Sequence, residues 1–289
     1  MTDPHSPGRH PAHRLEARAV SAGYGSSLII DGLSVGIAAG RITALVGPNA
    51  CGKSTLLKSV ARLLPLAAGS VLLEGADIRS LPTRQVARRL GILPQSPIAP
   101  ESITVGDLVW RGRHPHRRFG QRRTAADETV IADALLATGT AELVDRPVDQ
   151  LSGGQRQRVW IAVALAQDTP TLLLDEPTTY LDVAHQIEVM DLLAELNEQA
   201  GKTIVLVSHD LNQAALYASD MIAMRDGRVV CQGPPEQVLT EETVAEVFGL
   251  TCVVVPHPYT GRPQIFPLGR RTLAPTSSAP RTLIPGEPS

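Results

Sequence analysis

Aromatic residues and cysteines are scarce in this chain of 289 residues, and long apolar runs are absent. Aromatics make up 3% of the sequence and apolar residues 43%, so the core must consist mainly of Leu, Val, Ile and Ala, which suits parallel sheets covered by helices. The three cysteines are widely separated, which argues against a disulfide framework or a zinc site. No window reaches about 18 consecutive apolar residues, so neither a membrane span nor a signal peptide is predicted.

An excess of charge of either sign is also absent. The formal net charge of −2 gives no indication of a nucleic-acid partner. The length allows one large α/β domain. Residues 1–13 and 272–289 are dominated by Pro, Ser, Thr, Gly, His and Arg, and we expect disordered tails there, because such compositions bury too little apolar surface to offset the entropy of ordering.

Short apolar runs alternate with amphipathic helical patterns along the rest of the chain. This alternation predicts an α/β fold with a mostly parallel sheet. From about residue 96 to 150 the strand signals vanish, which predicts an inserted helical subdomain with helices near 105–110 and 125–138. The predicted strands are 42–46, 91–93, 171–174 and 203–207, and the predicted covering helices are 54–64, 155–167, 185–199 and 211–218.

A glycine-rich loop lies between the first of these strands and the first of these helices. It has the spacing and the context of a P-loop, in which backbone N–H groups and a helix N-terminus bind phosphates. Lys53 is expected to contact the β- and γ-phosphates of a nucleotide, and Ser54 to offer a hydroxyl to Mg²⁺. The alternatives are a structural turn for the loop and, for Cys51, a small filler that reacts with alkylating reagents if exposed. The candidate nucleotide-binding residues are Gly47, Pro48, Asn49, Ala50, Cys51, Gly52, Lys53, Ser54 and Thr55.

Candidate metal-binding and catalytic side chains follow three of the predicted strands. Asp175 and Glu176 end one strand, where ligands gather in open α/β sheets. Asp175 is expected to bind Mg²⁺ through water, and Glu176 to orient or deprotonate the attacking water. Gln95 is expected to sense both the metal and the water, and His209 to donate to a γ-phosphate. For each residue taken alone, a solvated turn or a structural cap stays open as the alternative.

The segment Leu151-Ser-Gly-Gly-Gln155 is the decisive one. Together with the P-loop it resembles the signature sequence of ABC transporter ATPases, and the resemblance extends over roughly residues 15–250 of a predicted ATPase domain at 14–250. It implies a P-loop NTPase fold with a RecA-like core, an antiparallel β part and an inserted α-helical subdomain. It also implies dimerisation, because in this family the signature helix of one subunit meets the γ-phosphate bound by the other.

The resemblance implies a role for each site residue. Gln95 would be the Q-loop residue, residues 179–182 the loop between the two sites, and His209 the switch histidine. Tyr24 would stack on adenine, since an aromatic ring stacks on a base without hydrogen-bond selection. Because Glu176 and His209 are both intact, we expect ATP hydrolysis. The residues implied to act in trans on ATP are Ser152, Gly153, Gly154 and Gln155.

Three further segments resemble the ATPases of iron–siderophore importers, with haem and cobalamin importers as near relatives. In such importers the helical subdomain receives a coupling helix from a polytopic membrane permease, and a separate extracytoplasmic binding protein delivers the ligand. The resemblance therefore implies a homodimer at the cytoplasmic face of the membrane, with ATP sandwiched between the copies and no contact with iron. The segments are 49–54, 109–116 and 176–182.

Other functions keep the same catalytic residues. One is a soluble, non-transport ABC ATPase that acts as a clamp on nucleic acid or on a protein assembly, and another is an exporter ATPase. The single cassette and the lack of heptad arms or a zinc module disfavour the clamp.

Two segments have no assigned function at this stage. The Arg- and His-rich stretch 111–123 reads as a solvated loop facing the permease or lipid headgroups, in preference to a metal site or a nucleic-acid patch. Residues 251–271 are expected to form a C-terminal extension that adds a strand pair to the ATPase domain.

Overall fold

The computed structural model describes residues 13–117 and 122–269. The predicted tails, 1–13 and 272–289, lie outside these ranges except for His13, which begins the first strand. No helix within these ranges is long and apolar enough to cross a membrane. In chain order the strands are β1 (His13–Tyr24), β2 (Ser27–Ala38), β3 (Ile42–Val46), β4 (Ala68–Leu73), β5 (Ala76–Asp77), β6 (Leu90–Leu93), β7 (Thr171–Asp175), β8 (Thr203–Val207), β9 (Asp220–Arg225), β10 (Arg228–Gly233), β11 (Cys252–Pro256) and β12 (Pro263–Pro267). The helices are α1 (Lys53–Val60), α2 (Thr83–Arg89), α3 (Val105–Arg111), α4 (Ala125–Ala137), α5 (Gly153–Ala166), α6 (Val183–Ala200), α7 (Leu211–Tyr217), α8 (Pro235–Val238) and α9 (Glu241–Phe248).

The central sheet has six strands in the order β10-β9-β3-β8-β7-β6. Five of these strands run parallel, and β10 pairs antiparallel with β9 at one edge. Every residue of β3, β7 and β8 is buried, which explains why these strands appear in the sequence as uninterrupted apolar runs. The predicted parallel sheet is thereby confirmed, with β6 beginning at Leu90, one residue before the predicted start.

The central sheet separates two apolar cores, because alternate residues of a strand point to opposite faces. Leu172 and Ile204 face a core that includes residues of α6 and α7. Val205 faces the other core, which also contains Leu57 of α1 and Leu15 of β1. This second core joins the central sheet to a four-stranded antiparallel sheet of order β2-β1-β4-β5. Helix α1, which begins at the end of the P-loop, is therefore fixed between two sheets.

Helices α3 and α4 form a helical unit with part of α5. The hydroxyls of Thr104 and Thr124 cap α3 and α4 by accepting backbone N–H bonds in the first turn. The core of the unit contains Leu108 from α3, Leu135 from α4 and Val159 from α5. The helical packing therefore continues into α5, beyond residue 150, where we expected the helical subdomain to end.

Parts of the Arg- and His-rich stretch pack against the protein, so the expected solvated loop is wrong at Arg113 and His116, whereas Arg111 and His114 are exposed. Arg113 is 7% exposed, and it donates to the Asp127 carboxylate at 2.9 Å and to the Ala166 carbonyl at 3.0 Å. The ring Nε2 of His116 lies 2.7 Å from the carbonyl oxygen of Gln167. Because a buried guanidinium needs an opposite charge and hydrogen-bond acceptors, this part of the stretch serves the fold.

Helix α2, which the sequence did not predict, contacts the same stretch. The guanidinium groups of Arg84 and Arg88 both donate to the carbonyl oxygen of Pro115, each at 2.9 Å. Arg123, just before α4, lies over the ring of Trp110 in α3, with its guanidinium carbon 4.7 Å from the ring centroid. Residues 118–121 lie outside the described ranges. The stretch therefore joins α2 to the helical unit.

The C-terminal extension forms the antiparallel pair β11–β12. The pair contacts α7 and α9. Cys252 and Ile265 are each 4% exposed and enter the same core as α6 and α7. The extension thus forms the expected strand pair and packs against the rest of the domain.

Candidate nucleotide-binding site

The P-loop connects the end of β3 to the start of α1. Gly47 has a φ of 153°, and a Cβ at this position would lie 2.2 Å from the carbonyl oxygen of Met224, so no larger residue fits. Lys53 is 5% exposed, and its ammonium group donates to the carbonyl oxygens of Gly47 and Pro48 at 2.8 Å each. The loop therefore curls around the lysine Nζ.

Cys51 lies within this loop but points into the protein. Its side chain is 4% exposed and belongs to the core between the two sheets. Burial raises the pKa of the Cys51 thiol, and the nearby Lys53 charge lowers it only in part. The small-filler interpretation of Cys51 fits this position, and the exposure that alkylation would require is absent.

Asp175 and Ser54 meet where β7 ends beside α1. The Ser54 hydroxyl donates to Oδ1 of Asp175 at 2.9 Å, and Asp175 is 1% exposed. Burial raises the pKa of Asp175 above its usual value, while the hydrogen bond from Ser54 lowers it. The other carboxylate oxygen, Oδ2, is buried without a hydrogen-bond partner. An uncompensated carboxylate oxygen beside a hydroxyl fits the oxygen donors that a hydrated Mg²⁺ prefers.

Glu176 is held by contacts from two other segments. Its backbone has a φ of 56°, an unusual conformation for a residue with a side chain. Nε2 of His209 lies 2.5 Å from Oε1 of Glu176, and the Thr179 hydroxyl donates to Oε2 at 3.3 Å. The Glu176 side chain is about 10% exposed, whereas that of His209 is 44% exposed. The carboxylate is thus oriented from both sides, and His209 faces it at the surface.

These elements border one cleft of about 510 Å³. The cleft brings together the end of β1, the P-loop and the residues that follow β6, β7 and β8. Tyr24 is 51% exposed and stands at its rim. The predicted residues that line the cleft are Tyr24, Asn49, Ala50, Gly52, Lys53, Ser54, Thr55, Gln95, Glu176 and His209.

Two residues of this site were not singled out as contacts from the sequence. Ile29 of β2 lines the cleft, and Thr179 bonds Glu176 from three residues further on. The hydroxyl at Thr179 carries a local signal, since a side chain three residues after a positive-φ turn can reach back to it. Ile29 carries no such signal, because β2 reaches the cleft only through pairing with β1.

The signature residues lie elsewhere. Ser152 caps α5 by accepting the backbone N–H of Gln155 at 3.2 Å, and the Gln155 side chain accepts the N–H of Ser152 at 3.1 Å. Ser152 and Gly153 are exposed, and none of the four signature residues lines the cleft. Gly153 instead borders a groove that it shares with Gln95 and Tyr180. The predicted site is thus divided between two surfaces of the chain.

Residues 30–179 match the family model described as ABC transporter. The chain belongs to the ABC transporter family. It is 53% identical over 256 residues to the achromobactin transport ATP-binding protein CbrD of Dickeya dadantii, which covers 89% of this chain and 95% of CbrD. It is 48% identical over 257 residues to the ferric enterobactin transport ATP-binding protein FepC of Escherichia coli, with 89% and 95% covered. This ABC protein therefore binds ATP and hydrolyses it to power transport.

Solved structures support the same assignment for the fold. An ABC transporter assigned to the metal-chelate type, in an inward-facing conformation, has a TM-score of 0.77 and 28% identity, and the match covers 91% of this chain and all of that one. The dimeric ABC transporter cassette MJ0796 has a TM-score of 0.70 and 27% identity, covering 76% of this chain and 98% of that one. The ABC ATPase fold is confirmed, and ABC subunits of this kind dimerise and work with membrane permease components.

Proposed function

We propose that this ABC ATPase powers the import of a ferric siderophore or a related iron chelate. The observation that carries the proposal is the cleft in which the P-loop, Gln95, Glu176 and His209 meet. The cleft accounts for ATP hydrolysis. The transported compound is inferred from relatives such as FepC, which is named for ferric enterobactin transport and aligns with 89% of this chain. The chain would act at the cytoplasmic face of the membrane.

ATP binding would use the loop and the rim of the cleft. Backbone N–H groups of the P-loop and the start of α1 would bind the phosphates, and the Lys53 ammonium group would leave its two carbonyl acceptors for the β- and γ-phosphates. The exposed Tyr24 ring would stack on adenine. The buried face of the loop, including Cys51, would stay in the core.

Mg²⁺ would be held by Ser54 and, through water, by Asp175 and Gln95. When bound it neutralises charge on the phosphates. Glu176 would orient and deprotonate the attacking water, because its carboxylate borders the cleft and is fixed by Thr179 and His209. His209 would both hold Glu176 and donate to the γ-phosphate.

The second half of each site would come from another copy of the chain. Ser152, Gly153, Gly154 and Gln155 start a capped helix whose exposed N-terminus favours negative charge. Because these residues do not border the cleft of their own chain, we propose that they contact the γ-phosphate in the cleft of the partner. ATP would then be sandwiched between two identical subunits.

The remaining partners are proposed from the relatives. A polytopic permease would bind the helical unit, and an extracytoplasmic binding protein would deliver the chelate to the permease without contact with this chain. The non-transport clamp is disfavoured, because CbrD and FepC are both named as transport ATP-binding proteins and each aligns with 89% of this chain.

The test is chelate uptake in the organism that encodes the chain. Cells carrying Glu176→Gln should lose uptake of radioactive iron presented as siderophore complexes, while cells carrying Glu188→Gln, which changes an exposed glutamate on α6, should retain it. Cobalamin and haem uptake are measured in the same strains. Loss of cobalamin or haem uptake with normal iron–siderophore uptake would contradict the proposed cargo while leaving the ATPase assignment intact.

A further inference from the structure

Helix α7 follows the switch histidine almost directly. Asp210 caps the helix by accepting the N–H of Gln213 at 2.9 Å, so that His209 stands immediately before the cap. Of the seven residues of α7, the two that are buried are Ala214 and Ala215. These two methyl groups bury little apolar area, and the half-buried Leu211 and Tyr217 at the two ends of the helix also pack against the core. Polar contacts near both ends of the helix add to this packing.

Asn212, in the first turn of α7, binds strand β12 with both ends of its carboxamide. Its Nδ2 donates to the carbonyl oxygen of Ile265 at 3.2 Å, and its Oδ1 accepts the N–H of Ile265 at 2.7 Å. The side chain therefore pairs with both polar groups of one strand residue, as a neighbouring strand would. This pair of bonds joins residues 53 positions apart.

The other end of α7 is tied to the same hairpin. Arg262, in the turn before β12, donates to the carbonyl oxygen of Ala218 at 2.9 Å. The hairpin is itself anchored, because Cys252 and Ile265 are buried in the main core. The C-terminal extension thus contacts α7 at two places. One is Asn212, the second residue of the helix, and the other is Ala218, the residue that follows its last turn.

We infer that Asn212 is a positioning residue for His209, through which the C-terminal hairpin sets the placement of the histidine against Glu176. The inference rests on the proposed catalytic role of His209 and Glu176. Catalytic groups must be held within a fraction of an ångström of their working positions, and a shift of about 1 Å can lower a rate about 100-fold. Helix α7 begins two residues after His209, and its fully buried side chains are the small Ala214 and Ala215, so loss of the Asn212 bonds removes a fixed point close to the histidine.

A double-mutant cycle with the full-length protein tests this inference. The variants are Asn212→Ala, His209→Ala and the double variant, with kcat and KM for ATP hydrolysis as the readouts. Asn212→Ala should lower kcat about ten-fold and change KM less than about two-fold. In the His209→Ala background the same substitution should change kcat less than about two-fold, because it acts through the histidine.

The matched control is Asn197→Ala. Asn197 also donates its Nδ2 to a backbone carbonyl, that of Lys202 at 2.6 Å, but at the far end of β8. It should leave kcat within about two-fold of wild type. Asn212→Asp keeps the acceptor for the Ile265 N–H and should give an intermediate kcat, and it replaces Asn212→Ala in the cycle if the alanine variant does not fold.

The outcomes separate this inference from the proposed function. A wild-type kcat for Asn212→Ala, or an equal fold loss with and without His209, overturns the positioning role and leaves the role of His209 intact. A wild-type kcat for His209→Ala overturns the proposed function of the histidine, and the inference fails with it.

Discussion

The cleft and the start of α5 are the two surfaces that we propose to contact one ATP from two copies of the chain, and they are built differently. In the cleft, the P-loop, Gln95, Glu176 and His209 converge because they follow neighbouring strands of one sheet. At α5, a complete capping box presents an exposed helix N-terminus that does not border that cleft. The residues of the cleft are brought together by the fold of one chain, whereas the start of α5 would meet ATP only in a dimer.

The two surfaces also differ in the electrostatics of their polar groups. Asp175, the proposed ligand of hydrated Mg²⁺, is buried, and burial raises its pKa, so its charged form is held at a cost in solvation. The start of α5 uses uncharged groups in solvent, namely the N–H groups and the hydroxyl of Ser152, which incur little desolvation before the phosphate arrives. The exposed N–H groups and hydroxyl at the start of α5 therefore carry no net charge in a free subunit, whereas exposed charged side chains there would attract counterions from solution.

The largest expected effect is on the cleft. Glu176→Gln should lower ATP hydrolysis at least about 100-fold, because it removes the proposed general base while keeping the size of the side chain. Phosphate release measures the rate, and binding of a fluorescent ATP analogue should stay within about three-fold of wild type. The matched control is Glu188→Gln, at an exposed position of α6. Normal hydrolysis by Glu176→Gln would contradict the assigned base.

Mixing two inactive variants tests the division of the site directly. Lys53→Ala removes the phosphate-binding ammonium group, and Gly153→Asp places a negative charge at the start of α5. A Cβ at Gly153 would meet its nearest atom, the Cβ of Tyr180, at 3.7 Å, so the free subunit can accommodate the change. Random pairing makes half of the dimers mixed with one intact site of two, and hydrolysis should recover to about a quarter of wild type.

The mixing experiment has two controls. Each variant alone should hydrolyse ATP at a few per cent of the wild-type rate or less, roughly as expected from the loss of a phosphate contact. A mixture of Lys53→Ala with Glu176→Gln, both in the cleft, should recover nothing. Failure of the Lys53→Ala and Gly153→Asp mixture to recover, with both proteins folded and dimeric, would mean that the signature acts within its own chain.

A smaller effect is expected from Ser152→Ala. It removes a cap worth about 1 kcal/mol of stability and a hydroxyl proposed to reach the partner's γ-phosphate. Hydrolysis should fall about ten-fold, the usual order for losing a hydrogen bond to a charged group. Thr104→Ala is the matched control, because Thr104 caps α3 with the same geometry but away from both surfaces. Equal losses of hydrolysis in both variants would show that Ser152 acts through stability alone.

The sequence predicted the cleft well because its parts are local. The P-loop, Asp175 and Glu176 stand next to fully buried strands, whose uninterrupted apolar runs place the strand ends within a residue or two. The resemblance implied the antiparallel part, but the sequence pattern did not place its strands, since β1 and β2 alternate buried and exposed residues and contain register shifts.

Contacts between distant residues were beyond prediction. Arg113 pairs with Asp127, fourteen positions on, and nothing in the Arg-rich composition separates this buried arginine from its solvated neighbours. The bonds between Asn212 and Ile265 likewise have no local pattern, because a polar residue in the first turn of a helix is ordinary. Residue types near strand ends can be interpreted from sequence, whereas the partners that orient them depend on the complete fold.

The last prediction concerns alkylation of Cys51, and it tests whether this side chain faces the cleft or the core. Although it lies in the P-loop, its side chain is 4% exposed in the core, and burial raises the pKa of its thiol, so little thiolate is present near neutral pH. Iodoacetamide at pH 7.5 should label Cys51 at least about ten times more slowly than in the urea-unfolded chain, as mass spectrometry can measure. Cys231, which is half-buried in β10, is the internal comparison and should react faster. Rapid labelling of Cys51 that ATP prevents would instead place the thiol on the nucleotide side of the loop, because only a side chain facing the cleft is covered by bound ATP.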